Sequence, residues 1–273
     1  MVTFWSRINT ALLLLVLLAV VGLFATRAYG GPLDPPGPPA ATDGVRQPGT
    51  PISSLPFAIT TPGYYYVTRN LTGGTGQTGI TITSSNVTLD LGGFTLFGGT
   101  SPGDGISANG PRYVRVRNGS VRGWSTGINL IASYSTIEGV RATNNLLDGI
   151  RIGGGSEITN CIASLNGNDG IDASFVVVRD CVVAGNTDSG IRVLDYSLVE
   201  DNRAHGNGKG IVITGSFNTL RNNDASFSAG TNGDIHIDVG ANSNVLIGNV
   251  FCDIVVFGAN TSTIGNVDRV DAC

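Results

Sequence analysis

A glycine–isoleucine pair recurs about every twenty residues along most of this chain, and this repeat constrains the fold more than any other feature. The isoleucines of the pairs are Ile80, Ile106, Ile128, Ile150, Ile171, Ile191 and Ile211, and aspartate replaces the glycine before Ile235 and Ile254. Apolar and outward-facing residues alternate after each pair, as at Ile150 and Ile152, which indicates a strand with one buried face. A unit of this length holds two or three short strands and their turns, and leaves no room for a helix.

Such a unit cannot bury its apolar face alone, so successive units are expected to stack, with equivalent strands about 4.8 Å apart. Connections between parallel strands are overwhelmingly right-handed. The sequence therefore predicts an all-β fold, a right-handed single-stranded parallel β-helix (a solenoid) of about nine coils with an N-terminal capping segment. The 40 glycines agree with many tight turns, and Gly149 is interpreted as a turn residue beside the core residue Ile150.

The composition divides the chain into three regions. In residues 1–30, Arg7 precedes an apolar run at 11–25 that is shorter than the roughly twenty residues of a membrane-spanning helix. This region is predicted to be a secretory signal peptide, and an uncleaved signal anchor is the one way in which membrane attachment is expected. Residues 31–51 are predicted to form a proline-rich linker, and residues 52–273 to form the β-helix domain. The expected location is secreted, periplasmic or at the cell surface.

Three segments carry a resemblance to a known family. They are "ISSLPFAITTPGYYYV" at 52–67, "SNVTLDLGGFTL" at 85–96 and "VRVRNGSVRGW" at 114–124. Together they resemble the opening of exported bacterial right-handed parallel β-helix repeat proteins of the pectin-lyase-like superfamily. The resemblance implies the fold. A polysaccharide or a cell-envelope component is the expected partner, because a β-helix offers a long surface of regularly spaced polar groups that suits extended polymers. The resemblance does not choose an activity, because the superfamily includes polysaccharide lyases, hydrolases and epimerases together with members that have no known activity.

One outward position on each first strand forms a column along the stack. Its members are Thr81, Ser107, Asn129, Arg151, Asp172, Arg192, Val212, His236 and Val255. The charges of Arg151, Asp172 and Arg192 alternate, and these three residues are the candidate binding site. A second column, Asp90, Arg117, Glu138, Thr159, Arg179, Glu200 and Arg221, also mixes charges. A salt-bridged surface is the favoured interpretation of both columns, over a catalytic arrangement.

The segment "GDIHID" at 233–238 is the sharpest candidate for chemistry. Strand alternation predicts that Asp234, His236 and Asp238 point outward, and these are the candidate catalytic residues. Asp253 occupies the position of Asp234 one coil later, so Asp234 and Asp253 are candidate metal ligands, with calcium as the one cofactor considered. Exposed strand and turn residues near the end of the stack are the favoured alternative.

Two further columns involve the turns and the cysteines. An inward-facing asparagine ladder is predicted at Asn118, Asn160, Asp180, Asp201 and Asn222. Cys161 and Cys181 occupy equivalent positions whose separation allows a disulfide but whose parallel side chains suit its torsion poorly, so their state is left open. Cys252 and Cys273 are predicted to form a disulfide in an oxidising exported environment.

These features favour binding over catalysis. A net charge of −4 makes nucleic acid an unexpected partner. The long loops that would wall a deep cleft are missing, since only 98–105 and 226–234 lengthen a coil. The leading hypothesis is an exported, non-catalytic β-helix protein whose lateral face binds glycans or envelope partners. The alternative is a carbohydrate-active enzyme, of lyase, hydrolase or epimerase type, with a site around Arg192 and Asp234–Asp238.

Overall fold

The computed structural model describes residues 49–100, 102–226 and 233–268, which form short parallel strands joined by turns. The predicted signal peptide and most of the predicted linker lie outside the described residues, whose first strand begins at Thr50. Within the described ranges, no helix is long and apolar enough to cross a membrane.

The strands are, in chain order, β1 (Thr50–Ile52), β2 (Phe57–Ile59), β3 (Gly63–Val67), β4 (Leu71–Thr72), β5 (Ile80–Ile82), β6 (Val87–Asp90), β7 (Thr95–Phe97), β8 (Ile106–Arg112), β9 (Val114–Arg122), β10 (Ile128–Ser133), β11 (Thr136–Thr143), β12 (Ile150–Thr159), β13 (Ile162–Ser164), β14 (Ile171–Arg179), β15 (Val182–Ala184), β16 (Ser189–Val193), β17 (Leu198–Glu200), β18 (Arg203–His205), β19 (Lys209–Ile213), β20 (Thr219–Arg221), β21 (Ile235–Ile237), β22 (Val245–Ile247), β23 (Val250–Phe251), β24 (Ile254–Val256), β25 (Ser262–Ile264) and β26 (Val267–Asp268).

These strands stack into three faces, and they pair in parallel with their counterparts in neighbouring coils. The first face contains β2, β5, β8, β10, the start of β12, the start of β14, β16, β19, β21 and β24. The second face runs from β1 and β3 to β22 and β25, and the third from β4 and β7 to β23 and β26. The predicted all-β parallel β-helix is confirmed.

The isoleucines of the sequence repeat form one column inside the first face. Ile128 pairs with Ile150, and Ile150 pairs with Ile171. All the isoleucines of the repeat except Ile254, which is partly buried, are fully buried, and they belong to a continuous apolar core along the stack. The first face has ten strands, one more than the nine repeat anchors, because Phe57 of β2 pairs with Ile80 without carrying the glycine–isoleucine pair.

The glycine before each isoleucine serves close stacking and not a left-handed turn. A Cβ atom on Gly149 would lie 2.6 Å from the carbonyl oxygen of Gly170 in the next coil, and 2.6 Å from Asn166 Nδ2. The Ile150 N–H donates a hydrogen bond to that same carbonyl at 3.0 Å. The interpretation of Gly149 as a turn residue was therefore wrong, because any side chain there would separate two coils that are hydrogen-bonded to each other.

The predicted asparagine ladder was also wrong. Asn118, Asn160, Asp180, Asp201 and Asn222 have φ between 54° and 57° and exposed side chains. Asparagine and aspartate tolerate this left-handed conformation better than most residues. These five residues therefore make the turn. The residues that follow the last four of them are the ones that point inward, namely Cys161, Cys181, Asn202 and Asn223.

In addition to the pair Asn218 and Asn244, whose amides are joined at 3.1 Å, longer asparagine ladders occur at two turns of the coil. One contains Asn145, Asn166, Asn186 and Asn207, whose amides are joined by hydrogen bonds of 2.8–2.9 Å. The other contains Asn202, Asn223, Asn249 and Asn266, joined at 2.9–3.0 Å. Each accepting Oδ1 also receives a backbone N–H from the preceding coil, as from Asn166 to Asn186 at 3.0 Å. The ladders thus satisfy buried backbone donors at positions where the chain turns.

The cysteines show where the second ladder begins. Cys161 and Cys181 lie in the same inward column as Asn202, whose Oδ1 accepts the Cys181 N–H at 3.0 Å. Both thiols are buried and free. Cys252 is disulfide-bonded, while its predicted partner Cys273 lies outside the described residues, so that pairing stays a prediction.

Replacing a ladder amide should be much more destabilising than replacing a residue of the exposed turn column. Asn186→Ala removes four side-chain hydrogen bonds inside the stack and is expected to lower the free energy of unfolding by about 3 kcal/mol or more. Asn160→Gly places at this position another residue that tolerates φ of 54°, so it should change the free energy of unfolding by less than about 0.5 kcal/mol. Urea denaturation measures both, and equal losses would contradict the assignment of the ladder.

Candidate functional site

The outward column of the first face has the register that the sequence predicts. Asn129 pairs with Arg151, Arg151 with Asp172, and Asp172 with Arg192. Arg151, Asp172 and Arg192 are called the charged row below. Their side chains lie on three successive strands, about 4.8 Å apart. The structure therefore brings together the three predicted binding residues.

Arg151 is held by two carboxylates. Its Nη2 lies 2.9 Å from Asp148 Oδ2, and its Nε donates to Asp172 Oδ2 at 3.1 Å. The Asp148 side chain is only 1% exposed, whereas that of Arg151 is 43% exposed. The guanidinium is thus fixed from beneath and from the next coil while its outer edge faces solvent.

Arg192 is held more loosely. Its Nη1 lies 3.9 Å from Asp169 Oδ2, which is beyond hydrogen-bonding distance, and its side chain is 39% exposed. Since the partner carboxylate is approached but not hydrogen-bonded by this atom, the Arg192 guanidinium is the member of the charged row best placed to donate to a ligand.

Asp169 lies behind the row and has an unusual environment. Its side chain is 1% exposed, and its Oδ1 accepts the Ser189 N–H at 2.9 Å. Burial raises the pKa of Asp169 to about 6, with smaller contributions from the Asp148 and Asp188 carboxylates, although the hydrogen bonds from Ser189 oppose the change. A carboxyl group buried behind the face cannot touch a ligand on it, so Asp169 can influence a ligand only through the charge that it places near Arg192.

Sequence reasoning missed Asp148 and Asp169. Both directly precede a glycine–isoleucine pair, so the recurring Asp-Gly-Ile was a signal that could have found them. Asp148 Oδ1 accepts the Asn168 amide at 2.6 Å and the Asp169 N–H at 3.3 Å. Each carboxylate therefore uses one oxygen for the neighbouring coil and turns the other toward an arginine of the charged row.

The three candidate residues of the "GDIHID" segment have different environments. Asp234 is 4% exposed, and its Oδ2 accepts the Cys252 N–H of the next coil at 2.7 Å. The prediction that it points outward was wrong, because it stands at the close-packed position that glycine occupies in most other coils. His236 Nε2 lies 2.9 Å from Asp238 Oδ1, so those two candidates do meet.

The two predicted metal ligands differ in burial. Asp253 is exposed, whereas Asp234 is buried against backbone. Across the described part of the chain, no group of three or more histidine, cysteine, aspartate or glutamate side chains is placed to hold a metal ion. Calcium binding by Asp234 and Asp253 stays a prediction.

An apolar residue separates the charged row from His236. Val212 pairs with Arg192 on one side and with His236 on the other, and it is 3% exposed. Arg192 and His236 therefore stand two strands, roughly 10 Å, apart. The alternative site around Arg192 and Asp234–Asp238 would therefore have Val212 between its two polar parts, and it stays a prediction.

The charged column of the second face forms ion pairs, as its interpretation as a salt-bridged surface requires. Arg117 Nε donates to Asp90 Oδ2 at 2.9 Å, and Arg221 contacts Glu200. Other pairs are diagonal, since Glu138 contacts Arg115 and Arg179 contacts Glu157. Exposed pairs of this kind contribute little individually to stability, and nothing in this column points to a ligand.

A sequence profile of the right-handed β-helix region matches residues 104–266, which is more than half of the chain. The protein therefore belongs to the right-handed β-helix family, and the predicted handedness is confirmed. No curated protein sequence matches the chain significantly.

Solved structures with the same fold carry several activities. The A-module of mannuronan C-5 epimerase AlgE4 from Azotobacter vinelandii matches with a TM-score of 0.58 and 14% identity, over 80% of this chain and 86% of that module. Pectate lyase Pel9A matches with a TM-score of 0.53 and 15% identity, over 77% of this chain and 71% of the lyase. At these identities the similarity shows the fold alone, and a shared fold does not choose between an epimerase, a lyase and a binding protein.

The raised pKa of Asp169 makes stability depend on pH. The folded protein binds the proton of the Asp169 carboxyl group more tightly than the unfolded chain does. Protonation of Asp169 therefore adds to the free energy of unfolding, and this contribution is fully present below about pH 4 and is lost as the pH rises through 6. The free energy of unfolding should fall by about 3 kcal/mol over this pH range as Asp169 loses its proton. Asp169→Asn should remove this part of the pH dependence in urea denaturations at pH 4, 6 and 8.

The matched control for this measurement is Asp180→Asn, an exposed turn residue with φ of 54°. It should leave the pH dependence of the wild type unchanged. A pH profile for Asp169→Asn that follows the wild type would contradict the assignment.

Proposed function

We propose that the protein is an exported, non-catalytic β-helix protein that binds a neutral, hydroxyl-rich polysaccharide along the charged row. The observation that carries the proposal is the alternation of donor and acceptor on three successive strands, with the Arg192 guanidinium exposed and loosely held. A sugar hydroxyl both donates and accepts hydrogen bonds, so a row of arginine donors and aspartate acceptors suits it.

The charge balance of the site supports a neutral glycan over an acidic one. Two arginines stand with three aspartates, Asp148, Asp169 and Asp172, which gives +2 − 3 = −1 when all are ionised. A polyanion needs a concentrated positive surface, and the charged row does not supply one.

Arg192→Gln tests the proposal. Because hydrogen bonds from a charged group are worth about 1.5–3 kcal/mol, the variant should bind at least about tenfold more weakly to the polysaccharide that retains the wild type. The measurement is retention of the purified protein on a panel of neutral polysaccharides, cellulose and xylan among them, beside alginate and pectate.

Arg203→Gln on β18 is the matched control, because it makes the same change of charge on the third face. Its retention should equal that of the wild type. Equal retention of the Arg192 variant, or stronger retention of the wild type on the acidic polymers, would contradict the proposal.

A catalytic function is the second candidate, and the contact between His236 and Asp238 is the observation that favours it. A carboxylate that orients an imidazole is a common acid–base arrangement. The panel is therefore also scored for released products, with and without calcium. Products that disappear in His236→Ala would establish the enzyme and overturn the non-catalytic proposal.

Export is the remaining part of the proposal and rests on the apolar run at 11–25. The expected result is that protein recovered outside the cytoplasm begins near residue 30. N-terminal sequencing of that fraction measures it, and an intact Met1 would support the uncleaved signal anchor instead.

A further inference from the structure

Five aromatic side chains form an exposed column at the turn that follows the first face. They are Tyr113, Tyr134, Phe175, Tyr196 and Phe217, each 48–58% exposed. All five are in the left-handed conformation, with φ between 48° and 61°. They are called the aromatic ladder below. Large aromatic residues are strained in this conformation, so their recurrence at one turn is unusual.

Neighbouring rings of the ladder stack on one another. The ring centroids are 5.7 Å apart for Tyr113 and Tyr134, 5.2 Å for Phe175 and Tyr196, and 5.0 Å for Tyr196 and Phe217. The planes are inclined by 16–24°. Within each stacked group the rings cover one another's faces and present mainly their edges to solvent.

Each coil contributes one position, called a rung below, to the aromatic ladder, and in one coil this position carries no aromatic ring. Tyr113 donates its N–H to Ser133, the residue before Tyr134, and Tyr134 donates in the same way to Gly154. The rung after Tyr134 is therefore Gly155, whose φ is +73°. The pairing of β12 with β14 also shifts register between Gly153 and Ser156, which places Gly155 opposite Phe175.

The missing rung leaves a slot between two aromatic rings. Tyr134 and Phe175 stand two strand spacings, roughly 10 Å, apart, which is the room for one further ring at the spacing of the ladder. The space is an open cavity of about 410 Å³ lined by Ser133, Tyr134, Gly154, Gly155, Phe175 and Tyr196. That volume lies within the range of small-ligand sites.

The chemistry of the slot selects its occupant. The face of an aromatic ring is electronegative, so it attracts C–H groups that carry partial positive charge. An occupant with an aromatic ring on each side must present C–H groups on both of its faces. A pyranose whose substituents are all equatorial does so, whereas an axial hydroxyl would be pressed against a ring without a hydrogen-bond partner. Its rim hydroxyls would meet polar groups of Ser133, Gly154 and Tyr196.

We infer that the slot between Tyr134 and Phe175 binds one pyranose ring of a β-linked glycan in which all ring substituents are equatorial. The inference deepens the proposed function and rests on it for the glycan class. Gly155 lies four residues beyond Arg151 on the same strand, at most about 13 Å away at the rise of a strand, so a glycan of several rings is long enough to reach from the charged row to the slot.

The test is calorimetric titration of the full chain with cellotetraose, whose rings have only equatorial substituents, and with β-1,4-mannotetraose, whose 2-hydroxyls are axial. The wild type should bind cellotetraose at least about tenfold more tightly. Equal affinities for the two probes would overturn the inference, and so would no binding of either.

Two variants locate binding at the slot. Gly155→Phe supplies the missing rung, and a Cβ there would lie 3.2 Å from Tyr134 Cε1, the movable end of a side chain. Since the other rungs carry aromatic residues at similar φ, this variant should fold and lose at least about tenfold in affinity. Phe175→Ala removes one wall of the slot and should lose as much affinity for cellotetraose. This variant also tests the slot if Gly155→Phe is unstable.

Phe217→Ala is the matched control, because Phe217 belongs to the ladder but does not line the slot. It should bind cellotetraose like the wild type, and an equal loss in this control would overturn the inference. If polysaccharide retention depends on Arg192 but cellotetraose does not bind, the inference about the slot is wrong and the proposed function is still supported.

Discussion

The hydrogen-bonded stacking of each coil on the next is the constraint on which the rest of this structure depends. The Ile150 N–H reaches the Gly170 carbonyl of the following coil, and the Ile128 N–H reaches Gly149 in the same way. That contact leaves no space for a Cβ atom at the glycine, which explains why glycine recurs there. It also fixes the coil spacing near 4.8 Å, and so sets the interval between all equivalent side chains.

At this interval, residues about twenty positions apart in sequence become neighbours. Inside the stack the arrangement joins asparagine amides into ladders, which satisfy backbone donors that the turns would otherwise bury unpaired. Outside, it aligns Arg151, Asp172 and Arg192 on one face and stacks the aromatic rings at the following turn. The same geometry thus stabilises the inside of the stack and places regularly spaced polar and aromatic groups on its outside.

The functionally informative places are those where the repetition is interrupted. Val212 stands between Arg192 and His236, so the charged row and the His236 area are separated by one apolar strand position. Gly155 interrupts the aromatic ladder and exposes two ring faces that the stacking hides elsewhere. Asp234 replaces the usual glycine, and its carboxylate is used to bind the backbone of the next coil. The buried columns are explained by stability alone, whereas these three departures change which side chains can meet one another or a ligand.

The sequence by itself determined the coil register and the inward or outward direction of the strand residues, including the isoleucine column and the charged row. Strand alternation is a local property with a period of two, so it can be read without knowing the neighbours. Only the tertiary structure decided which residues of the turns point into the stack. One residue with positive φ shifts the next side chain inward, which moved the asparagine ladder from Asn160 and Asp180 to positions such as Asn202 and Asn223. It also decided that Asp148, Asp169 and Asp234 are buried, because burial there depends on the coil stacked alongside and not on the local pattern.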